Sequence, residues 1–92
     1  MKYMPIISQF YGIVISMYAH EQNEKHHKGH IHVRYNADKA VYDFEGNLLA
    51  GKMPYKQEKM VEAWIVIHKE ELISLWGLLK EENGFFRIAP LK

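Results

Sequence analysis

The sequence predicts a small α+β domain: an antiparallel meander of three to four strands packed against one long or broken C-terminal helix, with a short final strand. Two observations carry this prediction. Up to about residue 50 the apolar residues are β-branched or aromatic and alternate with polar ones, the period of a half-buried strand. After Pro54 the apolar spacing switches to three and four, the period of an amphipathic helix. With 92 residues there is room for one core, and a single domain is expected over residues 4–90 with frayed ends at 1–3 and 91–92.

The run Ile6 to Tyr18 is rich in Ile, Val, Phe, Tyr and Met. It reads as one strand, or as two pieces meeting in a bulge or bend at Gly12, with both faces largely covered. Ile13, Ile15 and Met17 share one face, and Val14, Ser16 and Tyr18 the other. Ala19 to Gly29 is polar and without periodicity, and reads as a loop. His30 to Tyr35 then alternates strictly, with His30, His32 and Arg34 on one face and Ile31, Val33 and Tyr35 on the other. Asn36-Ala37-Asp38 has turn chemistry. Lys39 to Glu45 follows as a strand with Ala40, Tyr42 and Phe44 on its apolar face. Glu45-Gly46-Asn47 makes the next turn, and Leu48 to Gly51 leads out of it.

Pro54 suits the first position of a helix. Val61, Trp64, Ile65, His68, Leu72, Leu75, Trp76 and Leu79 then form one apolar stripe, and Asn83-Gly84 is a plausible cap. A straight helix from Pro54 to Glu82 would be ~43 Å long at the usual rise, more than such a domain spans. A break near His68 to Glu70 is therefore expected. The stripe should cover the sheet face that holds Ile13 or Val14, Val33 and Tyr42. Phe85 to Ala89 reads as the final strand, ended by Pro90.

Composition narrows the function classes. Apolar residues make up 48% and charged residues 25%, a globular balance rather than a disordered one. There is no cysteine, so the fold rests on packing, which suits a reducing cytoplasm; a partner subunit is a common supplement at this size. No leader pattern stands at the amino end, and no apolar run approaches the ~20 residues of a bilayer span. Twelve basic and eleven acidic residues give a net charge of +1, which makes no electrostatic case for nucleic acid. Five of the six histidines, however, fall between His20 and His32, so this segment becomes locally basic when they protonate.

The segment His26-His27-Lys28-Gly29-His30-Ile31-His32-Val33-Arg34 is what folding explains least. Residues i and i+2 of a strand share a face at ~7 Å, near enough for His30 and His32 to hold one divalent ion such as zinc. Further ligands would come from His20, Glu21, His26 or His27, since a catalytic site needs three ligands and an open position. Without a metal, one histidine could act as general acid or base while Arg34 steadies a phosphate, as RNA cleavage requires. The plainest alternative makes these residues the solvated face of a half-buried strand, or a partner contact, with Asp43 and Glu45 hydrogen-bonded to the imidazoles. His68, Trp64 and Trp76 lie on the helix stripe, where packing or a satisfied boundary hydrogen bond accounts for them.

Several stretches resemble a known family. Met4 to Tyr18, Gly29-His-Ile-His-Val-Arg-Tyr35, Gly46-Asn-Leu-Leu-Ala-Gly51, Pro54, Gln57, Val61-Glu-Ala-Trp-Ile65, His68-Lys-Glu-Glu-Leu72 and Trp76 together resemble the short bacterial proteins grouped as domain of unknown function 4160. The family's compact Asn-Pro-Pro-His-x-His loop is longer here, Asn23 to His32, and lacks both prolines. His30 and His32 carry over from that motif; His26 and His27 do not. The resemblance implies no established activity. It implies a free-standing product of a small operon, often encoded beside a second short protein in a layout suggestive of toxin–antitoxin pairs. The leading expectation is a protein-interaction module acting through such a partner or as a homo-oligomer. The competing one is a histidine-centred metal-binding protein or hydrolytic enzyme.

Overall fold

A computed structural model describes residues 5–18 and 28–92. Its elements run β1 (Ile6–Phe10), β2 (Ile13–Ser16), β3 (His30–Tyr35), β4 (Asp38–Asp43), β5 (Leu48–Gly51), α1 (Tyr55–Ile67) and α2 (Lys69–Lys80). The strands form one sheet in the order β1-β2-β3-β4-β5, every neighbouring pair antiparallel. The fold is α+β as the periodicities predict, with five strands in place of three to four and two helices in place of one.

The extra strands have local causes. Tyr11 and Gly12 both take positive φ, 51° and 81°, while Phe10 pairs with Ile13. That is the two-residue hairpin turn whose twist matches the flanking strands, so Gly12 reverses the chain rather than bending one strand. Leu48 to Gly51 is short and lacks β-branched residues, yet Ala50 pairs with Val41 and Gly51 with Ala40. Its strand character comes from that pairing. Gly51 has φ 80°, and a Cβ there would sit 2.1 Å from the Lys39 carbonyl oxygen, so only glycine fits this approach.

The expected final strand at Phe85 to Ala89 is not a strand. The segment lies beside the outer edge of β1, tied by the Ile88 N–H to the Ile7 carbonyl at 2.9 Å. The Ala89 carbonyl instead accepts the Trp64 indole N–H at 2.9 Å. Pro90, with no N–H to give, cannot extend a ladder.

The helix breaks where its length requires it, at His68, with φ −112° and ψ 22°. The Trp64 carbonyl still accepts the His68 N–H, and the His68 carbonyl the Leu72 N–H, so His68 is bonded into both helices at the bend. Pro54 lies just outside α1 and supplies the carbonyl for the Glu58 N–H. At the other end Glu82, not Gly84, takes the left-handed turn. The Asn83 and Glu82 N–H groups close onto Leu78 and Leu79.

Both helices pack on one face of the sheet. That face carries Phe10, Ile13, Ile15, Ile31, Val33, Ala40 and Tyr42, all buried. From α1 and α2, Val61, Trp64, Ile65, Leu72 and Leu75 complete the core, fully buried. Trp64 sits against Phe10 with ring centroids 5.7 Å apart. Of the two expected helix contacts on β2, Ile13 is the one in the core; Val14 faces the other way and is half-buried. No helix among the described residues is long and apolar enough to cross a membrane.

Candidate functional site

Strand alternation puts His30, His32 and Arg34 on the side of β3 away from Ile31 and Val33, as the sequence requires, though His30 at the strand's end also meets α2 through Trp76. The structure treats the three differently. His30 is buried at 4% exposure, His32 is half-buried and Arg34 is exposed. Their surroundings divide the face into a histidine end and a cationic end.

At the histidine end five rings follow one another. Tyr18 stacks on His32 at 5.2 Å, nearly parallel. His32 meets His30 edge-on at 5.3 Å. The Trp76 ring packs on His30 at 5.3 Å and on Phe44 at 6.0 Å. The His30 Nδ1–H donates to the Lys28 carbonyl at 2.9 Å, since a carbonyl oxygen can only accept. Gly29 is needed beside this contact, because a Cβ there would come within 2.4 Å of the Phe44 ring.

Asp43 is directly opposite His30 in the register and is fully buried, but it does not serve the imidazole. Its carboxylate accepts the Glu45 and Asn47 backbone N–H groups at 2.9 Å each and the Asn47 amide at 3.0 Å. The Lys28 ammonium lies 3.1 Å away. Burial alone would raise the Asp43 pKa; the bonds from Asn47, Lys28 and Glu45 outweigh it and hold the group down at about 2. Asp43 is thus the acceptor that closes the β4–β5 turn. Glu45 also has another partner, the Lys69 ammonium at 2.8 Å through Oε2. The expected hydrogen bonds from Asp43 and Glu45 to the imidazoles are therefore corrected: both carboxylates are engaged elsewhere.

At the cationic end, Val14, Arg34 and Lys39 stand side by side on β2, β3 and β4. The next row is Ser16, His32, Val41 and Ala50. Between these rows the face forms an open groove of about 550 Å³. Ile6, Val14, Val41 and Ala50 give it aliphatic walls, and His32, Arg34 and Lys39 line it with cationic or titratable groups. Among the described residues no helix or strand lies over it.

His20, Glu21, His26 and His27 lie outside the described residues. Among those described, no three of His, Asp and Glu come together as ligands for a metal ion. Among the described residues His30 and His32 form an adjacent imidazole pair, with Arg34 farther along the same side of the strand. His68 belongs to a separate place: its ring packs on Trp64 at 5.3 Å and its Nδ1–H donates to the Glu71 carboxylate at 2.5 Å.

Sequence reasoning missed Trp76 and Tyr18 as neighbours of the histidines, and Lys39, Val41 and Ala50 as groove residues. Lys39 and Val41 were within reach, since they alternate with Ala40 and Tyr42 and so face away from the core. Trp76 carried no local signal, because its contact with His30 exists only once α2 is docked.

These features define a small α+β protein with one sheet face closed by helices and the other grooved and edged with histidine and cations. Residues 12–77 match the family described as Domain of unknown function (DUF4160), and the chain belongs to that family. The matched span includes both the histidine end and the cationic end of the grooved face. No curated protein matches the chain. No solved structure matches it either.

Proposed function

We propose that this protein is a protein-interaction module, one member of a bacterial two-protein system of toxin–antitoxin type, and that it docks its partner on the sheet face opposite the helices. The observation that carries this reading is the groove between the Val14–Arg34–Lys39 and Ser16–His32–Val41–Ala50 rows. A sheet face with half-buried aliphatic groups and a groove of this size is a natural seat for a protein segment. Family membership supports the two-protein part of the reading, through the operon layout that the resemblance implies. The test is to produce the chain alone and together with the product of the adjoining gene, and to weigh the species by size exclusion with light scattering. A complex of defined stoichiometry is expected. Two separate species at micromolar concentration would contradict the reading.

A second reading is favoured by one specific observation, the adjacency of His30 and His32 with the His30 Nδ1–H bonded to the Lys28 carbonyl. In that reading the pair binds a divalent ion such as zinc or performs acid–base hydrolysis, with Arg34 as an anion contact. Calorimetry with Zn²⁺, Ni²⁺ and Mn²⁺ on the tag-free protein and on a His30→Ala/His32→Ala variant tests its metal form. Stoichiometric binding lost in the variant supports the metal form, and identical traces eliminate it.

A further inference from the structure

Residues directly opposite each other on neighbouring antiparallel strands are near neighbours, and where both are charged the stabilising combination is one of opposite sign. Arg34 and Lys39 break this pattern. They face each other across β3 and β4 with like charge, both exposed. Among the described residues no carboxylate lies within ion-pair distance of either. Lys52 is not part of this row: its backbone N–H bonds to the Lys39 carbonyl at 2.9 Å, but its side chain is turned toward Asp38 and does not line the groove. Its ammonium stands 4.0 Å from Asp38, at the limit of an ion pair.

Folding gains nothing from this arrangement, and an anion laid along the row would relieve it. The rest of the groove says what kind of anion. Its walls are Ile6, Val14, Val41 and Ala50, aliphatic groups that accept leucine- or valine-like side chains. Successive nucleic-acid bases stack on several flat aromatic surfaces, and the one aromatic ring lining the groove, His32, is already stacked on Tyr18. The net charge of +1 adds no general attraction for a polyanion.

We infer that the groove receives an acidic, amphipathic segment of a partner protein, its apolar side chains against Val14, Val41 and Ala50 and its carboxylates along Arg34 and Lys39. The inference rests on the sheet face being the docking surface and adds the chemistry of what docks there. Complementary charge of this kind sets which partner is accepted and how fast it arrives.

Four probes test it on the full chain labelled with ¹⁵N: a peptide alternating leucine and glutamate, its leucine–lysine counterpart, a glutamate–serine peptide without leucine, and oligouridylate. The leucine–glutamate peptide should shift the amides of Val14, His32, Arg34, Lys39, Val41 and Ala50. Its binding should weaken as salt is raised. The leucine-free peptide should bind more weakly and the leucine–lysine peptide should leave the groove unperturbed. An Arg34→Glu/Lys39→Glu variant, both sites being exposed, should keep a dispersed spectrum and lose about tenfold or more in affinity for the acidic peptide while gaining the basic one. Equal groove binding by both leucine peptides, or no groove shifts with any peptide, would overturn the inference about charge. Tighter groove binding by oligouridylate would overturn it in favour of nucleic acid. Shifts around Val66 and Ile73 instead would overturn the docking surface itself.

Discussion

The two faces of the sheet are built from the same strands by the same alternation, yet among the described residues the helices close only one of them. On the helix side, Ile13, Ile15, Ile31, Val33 and Tyr42 are closed over by α1 and α2 until almost nothing is exposed. On the other side, Val14, His32 and Val41 are half-buried, Arg34 and Lys39 are exposed, and the charges meet with like sign. The difference separates two kinds of demand on one sequence. The first face is accounted for by apolar burial. The second carries groups whose placement burial does not explain, and those are the groups to test for function.

The largest effect is expected at the centre of the closed face. Trp64→Ala removes a fully buried indole together with its hydrogen bond to the Ala89 carbonyl, and should cost about 4 kcal/mol by denaturant unfolding. Because that bond also holds the Phe85–Pro90 segment, amide exchange at Ile88 should speed up more than exchange within β3.

Next comes Asp43, the exception on the second face, a buried carboxylate that holds a turn. Asp43→Ala should cost roughly 3 kcal/mol by leaving the Glu45 and Asn47 N–H groups and the Lys28 ammonium without their acceptor. The pH dependence has a definite sign. The folded group, at about 2, lies below its ordinary 3.8, so its stabilisation is complete above about pH 4. It is lost as the pH falls from there through about 2. An acid titration of the wild type should show this loss, and Asp43→Asn should flatten that part of the curve.

A smaller effect separates the exposed cations from both. Lys39→Glu turns a like-charged pair into an opposite one, and should leave stability unchanged or raise it by about 0.5 kcal/mol. A fall in melting temperature of several degrees would show that Lys39 serves the fold, and the contrast between the faces would weaken.

The smallest change is expected at Tyr42, where the closed face holds a polar atom. Its hydroxyl is buried with no partner in hydrogen-bond reach among the described residues. Burial, followed by the charges of Glu58 and Glu62, pushes its pKa up to about 12. Tyr42→Phe should therefore be within about 0.5 kcal/mol of wild type, or more stable. A clear loss would reveal a contact for that hydroxyl.

The same contrast governs what could be read from the sequence. Local period was enough for β3, for the helix stripe and for the face shared by His30, His32 and Arg34. It was enough for the break at His68 as well, because helix length against domain size forces one. β5 escaped because Leu48-Leu49-Ala50-Gly51 has no strand signature of its own; pairing with β4 makes it a strand. Phe85 to Ala89 has a β composition, but one backbone bond to Ile7 and an indole on Ala89 hold it without a ladder. At the site, alternation could place side chains on a face but could not say what else would meet them there. The Trp76 contact with His30 and the use of Asp43 by its own turn are of that second kind. Asp43 had a readable clue, since an aspartate shortly before Gly46-Asn47 is a common turn acceptor.

The claim at the centre of this account is that the sheet face carrying the groove is the working surface. Calorimetric titration of the adjoining gene's product into wild type, Val41→Glu and Ile73→Glu tests it most directly, with melting curves to confirm that each variant folds. Val41 lies in the groove and Ile73 is exposed on the outside of α2. The account predicts that Val41→Glu abolishes binding and Ile73→Glu leaves it intact. Binding that survives Val41→Glu and is lost in Ile73→Glu would move the working surface to the helices and contradict it.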